Sequence, residues 1–204
     1  MRSIPLPLVA VAVGSSVAAA QVKLEITPFF TSYFATAYTS QHGDSTERQE
    51  AGPGLGTTVT YRFNNIVGVQ GSFAYAWSGT IPRYPPPPPG VINTNLPLPG
   101  EIMFAAARGT FQPRRSNYFL AAGAGLVKRS GTAWKTPGMT QLTNVMTSLG
   151  YGIRARVTPE FAFNIGVDLN LYFSNPDEAL TYYQRRLQRD VLVSIGVPYA
   201  LIER

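Results

Sequence analysis

Between Phe161 and Phe173 the odd positions read Phe161, Phe163, Ile165, Val167, Leu169, Leu171 and Phe173. The even ones read Ala162, Asn164, Gly166, Asp168, Asn170 and Tyr172. Alternation of period two over this length predicts a strand, because a helix would set Asn164 and Asp168 among the apolar side chains. The run exceeds the roughly five or six residues usual in soluble sheets and suits a tilted strand crossing a bilayer.

The pattern recurs along the chain. Leu55, Thr57, Val59, Tyr61 and Phe63 alternate with Gly54, Gly56, Thr58, Thr60 and Arg62; after Asn64-Asn65, a hairpin-type pair, Val67, Val69, Phe73, Tyr75 and Trp77 alternate with Gly68, Gln70, Ser72, Ala74 and Ala76. Leu24, Ile26, Phe30 and Phe34 alternate with Glu25, Thr27, Thr31 and Tyr33. Val145, Leu149, Tyr151, Ile153 and Val157 alternate with Asn144, Ser148, Gly150, Gly152, Arg154 and Arg156. Glu101–Phe111 and Tyr118–Arg129 are weaker, Ala- and Gly-rich strands, and Asp190–Leu201 is the last. The sequence therefore predicts eight strands.

The connections between them alternate strictly between long and short. Ser40–Gly52, Ser78–Gly100, Ser130–Leu142 and Ser174–Arg189 are long; Asn64-Asn65, Gln112–Asn117 and Thr158–Glu160 are short. An up-and-down barrel with long loops outside the cell and tight turns on the periplasmic side has this form. A soluble barrel would turn its apolar face inward, whereas a membrane barrel turns it to lipid and lines its interior with polar groups. Strand length and loop alternation favour the membrane. Arg62, Arg154 and Arg156 then join Glu25 and Asp168 inside, where charges have to pair. The fold class is all-β: an eight-stranded antiparallel up-and-down transmembrane β-barrel.

Composition narrows the chemistry. The 204 residues are 45% hydrophobic and 14% charged, with 19 Gly, 17 Pro, one His and no Cys. A disulfide scaffold, thiolate metal sites, Fe–S clusters, a Cys nucleophile and a multi-histidine metal centre are thereby excluded. Arg2, the apolar stretch Ile4–Val13 and Ala18-Ala19-Ala20 read as a signal peptide, residues 1–20, cleaved after Ala20, with residues 21–204 as the barrel domain.

Three segments resemble the small outer-membrane β-barrel proteins, the OmpA-like/OmpX-like superfamily. They are Glu25–Phe30, Asn117–Leu126 with the basic pair Lys128-Arg129, and Ile195–Leu201. The last is similar to that family's closing strand, with Leu201 where Phe is usual and Pro198 inside the strand. The resemblance implies residence in the cell outer membrane and recognition of the closing strand by the barrel-assembly machinery.

No residue pattern carries catalysis. His42 lies in Gln41-His42-Gly43-Asp44-Ser45, but adjacency in sequence does not build a triad, and no nucleophile elbow, phosphate loop or zinc-protease motif occurs. No catalytic, cofactor-binding or metal-binding residue is assigned, and no cofactor is expected. The run Tyr84–Gly90, with Pro85–Pro89, reads as a stiff polyproline spacer in an exposed loop. Tyr182–Arg189, with Lys128, Arg129 and Lys135, reads as a cationic outer rim facing anionic lipid, which explains the formal net charge of +6 better than nucleic acid does. The expected protein is a non-enzymatic, monomeric barrel with a structural or surface-interaction role. Its partners are outer-membrane lipid or external molecules, and not nucleic acid. An outer-membrane acyl hydrolase or transferase using His42, and a soluble periplasmic barrel binding a small apolar ligand, are the alternatives.

Overall fold

In a computed structural model, describing residues 23–35, 38–42, 45–83, 98–114, 116–134, 143–158, 161–174 and 186–202, the alternating segments form a closed antiparallel barrel. In chain order the strands are β1 (Lys23–Ala35), β2 (Tyr38–His42), β3 (Ser45–Gln49), β4 (Gly52–Arg62), β5 (Val67–Trp77), β6 (Thr80–Arg83), β7 (Gly100–Phe111), β8 (Tyr118–Gly131), β9 (Thr143–Arg156), β10 (Ala162–Ser174), β11 (Arg186–Gly196) and β12 (Tyr199–Ile202). The wall runs β1-β4-β5-β7-β8-β9-β10-β11, and β11 closes on β1. Six of the expected strands recur within two residues at each end. The first, expected to run on to the loop at Ser40, ends at Ala35, and the last starts and breaks earlier than expected.

Cross-strand partners taken once around the wall run Glu25, Thr60, Gln70, Arg108, Gly123, Ser148, Asn170 and Asp190. They return to β1 at Ala35, ten residues beyond the start. Eight strands with that stagger tilt about 40° from the barrel axis, so strands of this length rise about 30 Å, enough for a bilayer's apolar band. Every residue on this path points inward, and the polar character of the path defines the lumen.

Outward positions carry the apolar residues. Val59, Val69, Leu120, Leu149, Ile165, Val193 and Ile195 are all more than 40% exposed, a distribution stable only against lipid. Aromatic residues gather at both rims. Tyr61, Phe63, Phe111, Tyr118 and Phe161 stand at the short-turn end, and Phe34, Trp77 and Phe173 at the long-loop end.

The first long connection is not featureless. It contains the hairpin β2–β3, and β3 pairs with β6 from the third connection in a small sheet ordered β2-β3-β6. This sheet prolongs the wall. The pairing Thr80–Leu98 keeps the register of Trp77–Glu101 between β5 and β7. Gln49–Thr80 follows Gly54–Ala76 with a one-residue slip. That slip falls beside Gly52, where an added Cβ would lie 1.7 Å from the Trp77 carbonyl oxygen. Polar composition and Pro82 hid this extension from the alternation test.

The eighth strand starts at Arg186, earlier than expected, and breaks at Val197-Pro198. Beyond the break β12 stays in register with β1 as far as Ala200–Glu25, then slips at Leu24. Pro198 has no N–H for the ladder, and neither has Pro28 across the same seam. The segment expected to be a signal peptide, residues 1–20, and Pro85–Pro89, Lys135 and Tyr182–Arg185 lie outside the described residues.

Candidate functional site: the barrel lumen

The lumen divides into three levels, each built around an arginine. At the turn end Arg154 Nη2 donates to Glu25 Oε1 at 2.5 Å and its Nε to Asn164 Oδ1 at 3.1 Å. Nearby, Arg62 Nη1 donates to Gln112 Oε1 at 2.5 Å, and Gln112 Nε2 donates to the Ser116 carbonyl at 2.9 Å. Arg62, Gln112, Ser116 and Arg154 border a cavity of about 670 Å³ that also reaches Arg114, Arg156 and Asn117.

At the middle level Arg108 Nη1 donates to Asp168 Oδ1 at 2.5 Å and lies 3.5 Å from Ser148 Oγ. Inside a narrow barrel this pairing needs a strand without side chains beneath it. A Cβ added at Gly150 would lie 2.5 Å from Asp168 Oδ1. Just towards the turn end the Phe119 ring fills the lumen over Gly152, whose added Cβ would meet it at 2.3 Å. The spaces around this level are about 10 and 40 Å³, room for very few waters.

At the outer level the lumen is a dry core. Tyr33, Ile102, Phe104, Val127, Met146, Tyr172 and Leu192 are all buried inside the barrel. Arg129 enters this core with its guanidinium 4.8 Å from the Tyr172 ring centre and 4.9 Å from that of Trp134. It donates to the Tyr172 hydroxyl, which donates in turn to Asp190 Oδ2 at 2.5 Å. Trp134 belongs to a short 3₁₀ turn, Thr132–Trp134, that folds over the mouth. The guanidinium and the carboxylate, bridged by the neutral phenol, thus balance each other's charge in a buried setting, as buried charge requires.

The expected internal charge network exists, with corrections. Glu25, Arg154, Asp168 and Arg62 point inward as read from their parity. The partner of Asp168 is Arg108, which the Ala-rich strand did not advertise. Arg129 is not a rim residue: it is 3% exposed and inside the barrel. Its parity with Gly123, Gly125 and Val127 carried that information, whereas Lys128 faces out and is exposed. Gln188 is likewise buried. His42 falls on β2. Among the described residues no group of His, Asp and Glu gathers in a way that would hold a metal ion.

No protein-family model matches the chain, and no curated protein does. Solved structures do. The outer membrane protein OprG of Pseudomonas aeruginosa is similar with a TM-score of 0.53 and 12% identity, over 88% of this chain and 97% of that one. The solid-state NMR structure of outer membrane protein AlkL in DMPC bilayers gives a TM-score of 0.60 and 10% identity, over 98% and 97%. At such identities the likeness is one of fold. Together with the apolar outer wall and polar lumen, it gives the chain the fold of the eight-stranded outer-membrane β-barrels.

Proposed function

We propose that the protein is a non-enzymatic surface barrel, anchored by its apolar wall, whose long-loop end meets outer-leaflet headgroups or external partners. One observation carries this reading: the β4–β5–β7 ladders continue past the aromatic rim into β3–β6–Leu98. From Trp77 to Arg83 that extension climbs about 15 Å at the barrel's tilt. Hydrogen-bonded registration makes it a platform of fixed shape, which lowers the ordering cost of binding. Lys128 and Arg189, exposed at the outer ends of β8 and β11, suit contact with anionic headgroups. The filled lumen argues against a solute pore. Insertion through recognition of β11–β12 by the assembly machinery, and a monomeric state, complete the proposal.

Because the chain has no Cys, single cysteines report topology directly. A cysteine at Thr46 or Arg83 should react with a membrane-impermeant maleimide on intact cells, and one at Arg62 should not. Replacing Thr80–Arg83 by a Gly-Ser linker should abolish binding of the purified barrel to lipopolysaccharide-containing vesicles or host-cell surfaces while leaving its folded gel band unchanged. Retained binding would refute the platform. His42→Ala should leave any lipid-acyl hydrolysis or transfer background unchanged; a lost activity would favour the enzyme reading.

A further inference from the structure

The turn-end cavity has a composition that neither anchoring nor a surface role requires. Four arginines border it, Arg62, Arg114, Arg154 and Arg156, supplied by β4, the β7–β8 connection and β9. Among the described residues Glu25 is the carboxylate that reaches them, and Arg154 occupies it at 2.5 Å. Arg62 Nη1 is held by neutral Gln112 while its Nε is buried without a hydrogen-bond partner. Arg114 and Arg156 form no ion pair among the described residues. Three of the four therefore line one concavity without an ion pair among the described residues, Arg62 half-buried and Arg114 and Arg156 exposed at its mouth.

We propose that this vestibule is a binding site for a phosphate-bearing anion. Guanidinium groups present paired N–H donors that match phosphate oxygens two at a time, and convergence of several favours a group with three or more acceptor oxygens. The cavity, about 670 Å³, has the size of a headgroup or a small phosphoester. Phe119 and the filled lumen behind it close the inner end, so a ligand enters from the turn side and stops there. Like charges crowded in a partly enclosed site repel one another, and a bound dianion relieves that repulsion. In an outer membrane this end meets two sources of phosphate: the headgroups of the inner leaflet and soluble phosphoesters of the periplasm.

The test uses the barrel refolded in an uncharged detergent and titrated calorimetrically. Inorganic pyrophosphate is the free probe, and dihexanoyl phosphatidylglycerol below its micelle concentration is the headgroup probe. Saturable binding is expected, weakened about tenfold in the double variant Arg114→Gln/Arg156→Gln. Binding of pyrophosphate alone identifies a soluble phosphoester, binding of the lipid alone a membrane headgroup, and binding of both the phosphate group itself. The variant removes no lumen ion pair and should keep the heat-modifiable gel band of the folded barrel. Arg62→Lys, which keeps the charge but loses the planar fork, should weaken binding by a smaller factor. The proposal is overturned by absence of saturation with both probes, by unchanged affinity in the double variant, or by citrate bound as tightly as pyrophosphate.

Discussion

The two halves of the lumen solve opposite problems with the same residue type. At the outer half Arg129 is sealed among Tyr172, Trp134 and Phe104-level packing, and its charge is balanced through Tyr172 by Asp190. At the turn half Arg62, Arg114, Arg154 and Arg156 line an open mouth, and Arg154 alone among them is ion-paired among the described residues, to Glu25. Exclusion of water explains the difference. An arginine in a dry core is tolerated only with its neutralising partners in place, whereas at a wet mouth solvent screens an excess of positive charge. A polar lumen is thus not one environment. It runs from a buried arginine balanced by a carboxylate to a mouth where arginines outnumber carboxylates among the described residues.

The largest effect should come from breaking the dry pairing. Asp190→Ala strands Arg129 in a sealed core and should cost about 3–5 kcal/mol in the urea unfolding of vesicle-refolded barrel. Glu25→Ala should cost less, about 1.5–3 kcal/mol, because Arg154 reaches the mouth and water can replace the carboxylate. Equal losses at the two sites would erase the distinction between the halves.

Next comes the wall that both halves share. Ile165→Arg, placing charge against mid-bilayer lipid, should cost about 2–4 kcal/mol, and Val157→Arg, at the turn-end rim, about 0–1. The boundary between the halves is tested by Gly152→Ala. Its methyl must displace the Phe119 ring and should cost about 1–3 kcal/mol, while Gly109→Ala, with no neighbour nearer than 3.9 Å, should change stability by less than about 0.5 kcal/mol. Smallest of all, Arg114→Gln should leave the unfolding midpoint within about 0.5 kcal/mol of the parent, because it breaks no pairing among the described residues. A large loss there would mean that Arg114 serves structure and not the vestibule.

Much of this is legible in the sequence. Where one face meets lipid and the other a polar lumen, alternation is clean, as along Phe161–Phe173, and the strand, its tilt and its facing follow. Alternation fades where the lumen itself turns apolar. Ile102 and Phe104 point inward while Ala105 and Ala107 point to lipid, so β7 reads as a weak strand and its Arg108 goes unnoticed as the partner of Asp168. Arg129 is hard to place from the sequence for another reason. Beside Lys128 it reads as half of a basic pair, although neighbours in a strand face opposite sides, and only parity separates rim from core. The β2-β3-β6 extension was invisible because both its faces lie above the membrane, with no lipid to impose a pattern.

The prolines at the closing seam have a consequence for how the ring yields. Along β1 the pairing with β4 runs unbroken in register from Lys23 to Tyr33, but on the last strand Val197-Pro198 interrupts the ladder, leaving the bond from the Val197 N–H to the Pro28 carbonyl, and the register slips at Leu24. A closed chain of bonds opens at its poorest link, so this joint acts as a clasp between the two ends of the sheet. Amide exchange should be fastest there, at Ile26, Tyr199 and Ala200, and slowest across β7–β8–β9, where the ladders are continuous. The same clasp should be the last to fasten during insertion, since its partners are the most distant in sequence and bear the greatest loop-closure entropy.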